Sequence, residues 1–219
     1  MPRLCFEKTG NAVWISHLDL MRLFQRAFKR AGLPLTHTQG FNPRPSVSIA
    51  LPLSVGIESV CELLDFDLDG DEISDDEICR RLNGALIDGI RVREVYSDGR
   101  KIKHIAYLDC ALTLEYDAGV PSGAAEALEA LFARQELFVT KKSKNGNTEQ
   151  NIIPMIRSLQ VQNPDAHILK IAARICCQNP SLNPMQLSAA IEAYLPGLTP
   201  NFVACRREAV YDLQETIFR

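Results

Sequence analysis

The chain of 219 residues is long enough for one large domain or two small ones. Its composition, 46% hydrophobic and 23% charged, is typical of folded globular proteins and excludes a disordered chain. A formal net charge of −3 hides a basic segment, residues 1–48 with seven basic and two acidic residues, and an acidic one, residues 58–77 with ten acidic and no basic residues.

The first half of the chain predicts the order β-α-β-β-α-β, with one additional short strand before the first helix. Ser16 and, three positions later, Asp19 predict the start of that helix, and Gly32 with Pro34 predicts its end. The predicted strands are 3–8, 12–15, 46–53, 59–68 and 90–96, and the predicted helices are 16–31 and 74–86.

The second half repeats this order of elements. The predicted strands are 108–116, 137–142, 152–161, 166–177 and 202–211, and the predicted helices are 122–135 and 184–194. We therefore expect an α+β protein of two tandem ferredoxin-like βαββαβ domains, residues 1–98 and 105–219. Because element order repeats but residue identity does not, a single α+β domain with one continuous sheet is the alternative.

The first helix is predicted to be amphipathic. At about 100° per residue its apolar side chains share one face, and the opposite face carries basic ones. These basic residues are Arg22, Arg26, Lys29 and Arg30. No acidic residue lies four positions from the last three, so ion pairs within the helix do not neutralise them, and we expect the whole row, Arg22 included, to be unpaired. A solvated helix face is one explanation, and a surface for a polyanion or an acidic partner is the other.

A rigid loop is predicted to follow this helix, because Pro43 and Pro45 restrict the backbone and Gly40 permits conformations closed to other residues. Phe41 could stack on a nucleic-acid base and Arg44 could contact a phosphate. Alternatively, Phe41 fills the core beneath the turn. The candidate binding residues of the loop are Gln39, Gly40, Phe41, Asn42 and Arg44.

Two further features are weaker candidates for function. His17 and His37 could act as a general acid and base, although a histidine at the start of a helix more often has a structural role. Lys141, Lys142 and Lys144 form a basic turn that could contact the same nucleic acid or simply be solvated.

Metal and cofactor sites are not predicted. The seven cysteines include no C-x-x-C pair and no pair at zinc spacing with a histidine, so we expect buried thiols. No apolar run is long enough to cross a membrane and no secretion signal is present, so we expect a cytoplasmic protein without a membrane partner.

Several strings of residues in the first half of the chain are distinctive. They are Phe6-Glu7-Lys8-Thr9-Gly10, residues 15–22, Arg26-Ala27, residues 30–34, and Gln39-Gly40-Phe41-Asn42-Pro43. Together they closely resemble the radical-SAM-linked family of uncharacterised proteins. The family tends to have an Asp-Ile-Arg-Pro-like stretch where this chain has residues 151–154, Asn-Ile-Ile-Pro, so a role built on those charges does not transfer. The resemblance implies a radical SAM protein as partner. The chain lacks the C-x-x-x-C-x-x-C motif and is therefore not the radical enzyme itself.

These patterns favour an accessory protein that binds RNA or presents a substrate to a radical SAM partner. One alternative is a protein-binding scaffold for that partner. The other is a metal-independent endoribonuclease, which rests on an architectural likeness to CRISPR repeat-processing enzymes.

Overall fold

A computed structural model describes residues 1–70, 72–143 and 146–219, except for the side chains of residues 142 and 143. The described chain combines helices and strands, so the expected mixed α/β class is confirmed. It divides into two compact units. Unit 1 contains Met1–His104 together with Phe218 and Arg219, and unit 2 contains Ile105–Ile217. Among the described residues, no helix has the length and apolar character needed to span a membrane.

Unit 1 contains four strands and two helices among its described residues. They are β1 (Arg3–Lys8), α1 (His17–Arg30), β2 (Val47–Ile49), β3 (Ile57–Phe66), α2 (Asp75–Asn83) and β4 (Ile90–Tyr96). All neighbouring strands are antiparallel, in the order β4-β1-β3-β2. Ser16 caps α1 as predicted, because its side-chain oxygen accepts a hydrogen bond from the amide of Asp19.

The additional strand predicted over residues 12–15 is wrong, since Gly10–Trp14 forms a 3-10 helix. Its backbone bonds locally: the amide of Ala12 donates to Thr9 and the amide of Ile15 donates to Ala12. A short apolar run cannot distinguish a strand from a helical turn, because periodicity needs more residues than it contains.

One hydrophobic core lies between the sheet of unit 1 and its two helices. The rings of Phe6 on β1 and Phe24 on α1 meet edge to face with centroids 4.8 Å apart. Phe28 and Phe66 meet at 5.1 Å, and Leu82 of α2 is buried in the same cluster. Both helices therefore cover one face of the sheet, and α1 is held by large aromatic contacts.

Unit 2 contains six strands and two helices among its described residues. They are β5 (Tyr107–Glu115), α3 (Ala124–Phe132), β6 (Phe138–Ser143), β7 (Gly146–Asn151), β8 (Ile156–Asp165), β9 (Ile168–Cys176), α4 (Met185–Tyr194) and β10 (Phe202–Tyr211). The main strands are antiparallel in the order β10-β5-β9-β8. The predicted strand 137–142 becomes β6, which pairs with β7 in a separate two-stranded sheet.

Phe218 and Arg219, which the sequence analysis groups with the second domain, pack with unit 1. The ring of Phe218 is buried, with the guanidinium groups of Arg3 and Arg100 at 5.5 and 4.9 Å from its centroid. Arg3 is itself buried and donates two hydrogen bonds to the carboxylate of Asp65. This bidentate pair fixes the planar guanidinium against the aromatic ring.

We predict that Phe24→Ala lowers the free energy of unfolding of unit 1 by about 3–5 kcal/mol, because it leaves a cavity against Phe6. Phe41→Ala, which removes a fully exposed ring, should change it by less than about 0.5 kcal/mol. Urea unfolding followed by the fluorescence of Trp14, the only tryptophan, reports on unit 1. Equal losses in the two variants would contradict the packing described above.

Candidate functional site

The outer face of α1 carries the predicted row of basic residues. Leu20, Phe24, Ala27 and Phe28 are buried against the sheet, as the periodicity predicts. The four basic side chains are consequently turned outward, and all are exposed. Packing of one face therefore determines which side chains the helix offers to other molecules.

Two of these four cations are engaged within the protein. Arg22 forms an ion pair with Asp19 at 2.9 Å, so the expectation that it is uncompensated is wrong. The Ser16 hydroxyl and the Arg22 guanidinium both bond to Asp19 and hold the pKa of its carboxyl below the usual range. Arg30 donates a hydrogen bond to the backbone carbonyl of Ala85.

Arg26 and Lys29 form no ion pair and no hydrogen bond with the described part of the chain. Lys29 lies in the last turn of α1, where the helix dipole favours a cation but does not neutralise it. These two side chains are the part of the basic row that no described residue pairs directly.

The loop 38–44 is closed at its base by backbone hydrogen bonds. Thr38 and Arg44 are joined twice, by the Thr38 amide to the Arg44 carbonyl at 2.8 Å and by the Arg44 amide to the Thr38 hydroxyl at 3.0 Å. His37 and Pro45 form an antiparallel bridge just below. The loop therefore has a fixed base, and the residues between 38 and 44 form its tip.

Phe41 stands at the tip of this loop with its ring fully exposed, at 109% of the reference area. It does not fill the core, so that alternative is excluded. Gln39, Asn42 and Arg44 are also exposed, and Gly40 adopts a φ of 137° that other residues rarely reach. An exposed ring on a closed loop is available to stack on a flat ligand such as a base.

A groove of about 420 Å³ lies between the end of α1 and the base of the loop. Its lining residues are Gln25, Phe28, Lys29, Gly32, Leu33, Pro34, Leu35, His37 and Pro45. Only Lys29 and His37 are among the predicted site residues. Periodicity and the helix-ending Gly32-Leu33-Pro34 locate the end of α1, but they give no signal that a cavity follows.

The structure does not bring the two candidate histidines together. His37 lines the groove beside Lys29, whereas His17 is the first residue of α1. His17 precedes Lys29 by 12 residues, which is about 18 Å along a helix that rises roughly 1.5 Å per residue. Neither imidazole has a hydrogen-bond partner among the described residues, so the acid and base of a catalytic pair are not assembled here.

The basic turn of the second half belongs to the β6–β7 hairpin of unit 2. Lys141 lies on β6 opposite Thr148 and is half-buried. Lys142 follows on β6, but its side chain lies outside the described residues, as does the whole of Lys144. The proposed contact of this turn therefore stays a prediction.

Cysteine and metal chemistry gain no site from the described residues. No group of three His, Cys, Asp or Glu side chains among them is placed to hold a metal ion. Burial raises the pKa of the Cys5 thiol to about 11 and that of the Cys205 thiol to about 12. Both thiols are therefore protonated near neutral pH and are weak nucleophiles.

Residues 2–184 match the profile of a family described as "Uncharacterized protein conserved in bacteria (DUF2344)". The chain belongs to this family. The match includes α1, the loop 38–44 and the groove, but the description of the family names neither a reaction nor a partner.

No curated protein matches the chain. Among solved structures, the chain is similar to one from the crystal structure of a Cbf5-Nop10-Gar1 complex, with a TM-score of 0.55 and 7% identity. The alignment covers 95% of this chain and 48% of that one. Because the identity is only 7%, this likeness concerns the fold alone. An unknown protein from Galdieria sulphuraria matches over 94% of this chain and 96% of its own at 13% identity, with a TM-score of 0.26.

We predict that Asp19→Asn strengthens binding to a polyanion, because it removes the carboxylate that pairs with Arg22 and so raises the net charge of the basic face by one. The variant should elute from heparin at higher salt than the wild type. Asp88→Asn, at an exposed position in the segment between α2 and β4, is the control with the same change in net charge. An equal shift in both variants would show that net charge alone matters.

Proposed function

We propose that this protein is a non-catalytic accessory subunit that binds RNA through unit 1 and presents it to a radical SAM partner. The observation that carries the proposal is the pair Arg26 and Lys29, two exposed cations that form no direct ion pair with the described residues. Lys29 lines the groove, and the base of the loop that displays Phe41 lines the same groove. The separation of His17 from the groove supports a role without catalysis.

Phosphate binding and base stacking together favour single-stranded RNA as the ligand. Arg26, Lys29 and Arg44 supply positive charge for the phosphates, which account for most of the affinity of such interfaces. Phe41 needs an unstacked base, and single-stranded loops and ends of RNA offer one. Closure of the loop at Thr38 and Arg44 lowers the entropy lost when the ring is immobilised on a ligand.

We also propose that each unit is a ferredoxin-like domain. The strand orders β4-β1-β3-β2 and β10-β5-β9-β8, both antiparallel, support this class, as do the two helices in each unit. On this view β6 and β7 are a hairpin inserted after α3. Such domains carry many functions, so the fold supports the proposed site only by presenting it.

The radical SAM partner is proposed from the resemblance of residues 5–60 to the radical-SAM-linked family. We also propose that the protein is located in the cytoplasm. The chain has no C-x-x-x-C-x-x-C motif of its own with which to bind the iron–sulfur cluster of such an enzyme. The chemistry is therefore assigned to the partner, and RNA binding to this chain.

A protein-binding scaffold is the second candidate, because unit 1 also exposes large apolar side chains. Trp14 is 69% exposed and Leu18 is 67% exposed, on either side of the start of α1. Exposed aromatic residues of this kind are enriched in protein interfaces. Purification with a protein partner and without nucleic acid would favour this candidate.

We predict that the protein purified without nuclease carries RNA, which can be sequenced and then used as the probe. Replacing Arg26 and Lys29 by alanine should weaken binding and lower the slope of log K against log salt by about 1.4, or about 0.7 for each lost phosphate contact of a single strand. Fluorescence anisotropy over a salt series measures both quantities.

The matched control is Arg80→Ala with Arg93→Ala, which removes two exposed arginines of unit 1 that are ion-paired to Glu77 and Glu7. The control should keep the wild-type slope. Absence of RNA binding by the wild type at low salt would refute the proposal, and equal effects of the two double variants would remove Arg26 and Lys29 from it.

We predict that the tagged protein, isolated without oxygen from its own bacterium, carries a protein with a C-x-x-x-C-x-x-C motif and bound iron. Mass spectrometry identifies the motif, and an iron assay of the purified complex reports the cluster. The control variant, Arg80→Ala with Arg93→Ala, should co-purify with the same partner protein when it carries the same tag. Recovery of RNA without any such protein would separate RNA binding from the radical SAM partnership.

A further inference from the structure

We propose that the groove at the end of α1 holds the base of one unpaired RNA nucleotide, an inference that rests on the proposed function. Its volume of about 420 Å³ lies in the range of small-ligand sites, about 300–1,000 Å³. The groove is bounded by α1 on one side and by the base of the loop on the other. It thus lies between the cations of α1 and the exposed ring of Phe41.

The groove has an apolar surface on a firmly held base. Phe28 and Leu33 line it but are fully buried, so they support it from beneath, and the amide of Leu33 donates a hydrogen bond to the carbonyl of Phe28 at 3.0 Å. Pro34 and Pro45 contribute rigid rings from the two sides of the groove. A flat aromatic base removes its faces from water between such walls without requiring them to rearrange.

The polar side chains that line the groove have no partners among the described residues. Gln25 and His37 form no side-chain hydrogen bond with them, and Lys29 forms no ion pair. An amide and an imidazole can each donate and accept a hydrogen bond, as the edge of a base requires. The ammonium group of Lys29 suits the phosphate of the same nucleotide.

Phe41 is placed to stack on a second, nearby base. It lies three residues from Thr38, where the loop is closed, so its Cα is within about 11 Å of the loop base, at roughly 3.6 Å per residue. One strand of RNA can therefore occupy both positions. Consequently, two nucleotides of a bound RNA should depend on their bases, one through the groove and one through Phe41.

The experiment uses ten-nucleotide RNAs, derived from the co-purified sequence, in which a single abasic nucleotide is moved along the strand. The full-length wild-type protein should lose affinity about tenfold or more at two positions and little at the others. Gln25→Trp, which fills the groove, should abolish the loss at one position. Phe41→Ala should abolish the loss at the other.

Leu18→Trp is the control, because it adds an indole to the exposed surface of α1 away from the groove. It should leave both sensitive positions unchanged, and the thermal midpoints of the two tryptophan variants should agree. The abasic scan of the wild type does not depend on the folding of any variant.

Three results are distinguishable. Two sensitive positions, one of them lost in Gln25→Trp, support the groove as a base site. RNA binding that keeps its salt dependence but has no sensitive position beyond the one lost in Phe41→Ala overturns this inference and leaves the proposed function standing. Failure of the wild type to bind any of these RNAs at low salt overturns both.

Discussion

The packing of α1 against its sheet is the interaction on which the rest of unit 1 depends. Phe24 and Phe28 are anchored against aromatic rings of β1 and β3, which fixes the rotation of the helix about its axis. That rotation turns Arg26 and Lys29 to water and places the last turn of α1 beside the loop 38–44. The charged surface and the groove are thus two consequences of one buried contact.

The loop 38–44 shows how a few backbone bonds can keep an apolar side chain in water. The exposed Phe41 ring lacks the favourable free energy that its burial in an apolar environment would give. The paired bonds between Thr38 and Arg44 prevent the chain from collapsing over the core, and Pro43 restricts the tip further. An isolated exposed ring is common on protein surfaces, but one on a closed loop beside uncompensated cations is a more specific arrangement.

Local patterns predicted most of the helices and strands of the structure. The heptad-like spacing of Leu20, Phe24, Ala27 and Phe28 predicted the buried face of α1, because that spacing acts within a single helix. The 3-10 helix at Gly10–Trp14 was missed, since the run of four apolar residues at 12–15 fits either a strand or a helical turn. The bond from Arg30 to Ala85 joins residues 55 apart in the chain, and no local pattern reports such a contact. The ion pair of Arg22 with Asp19 was within reach, because the two residues are only three positions apart.

The groove was beyond sequence reasoning for a different reason. A cavity is a property of the space that several segments leave unfilled, and Gln25, Leu35 and Pro45 give no indication singly that they share one. Its polar side chains are candidates for ligand binding because they lack hydrogen-bond partners among the described residues, and only the structure shows this. Residue type therefore indicated the basic surface, whereas only the three-dimensional structure shows the groove beside it.

The return of Phe218 and Arg219 to unit 1 makes that unit discontinuous along the gene. The ring of Phe218 contacts two guanidinium groups, those of Arg3 and Arg100, which the N-terminal half of the chain supplies. Replacing or deleting Phe218 would remove the ring from both cations in the unit that carries the basic face of α1. Expression of residues 1–104 alone would have the same defect, so the smallest faithful version of unit 1 must carry these two residues on a linker or a circularly permuted chain.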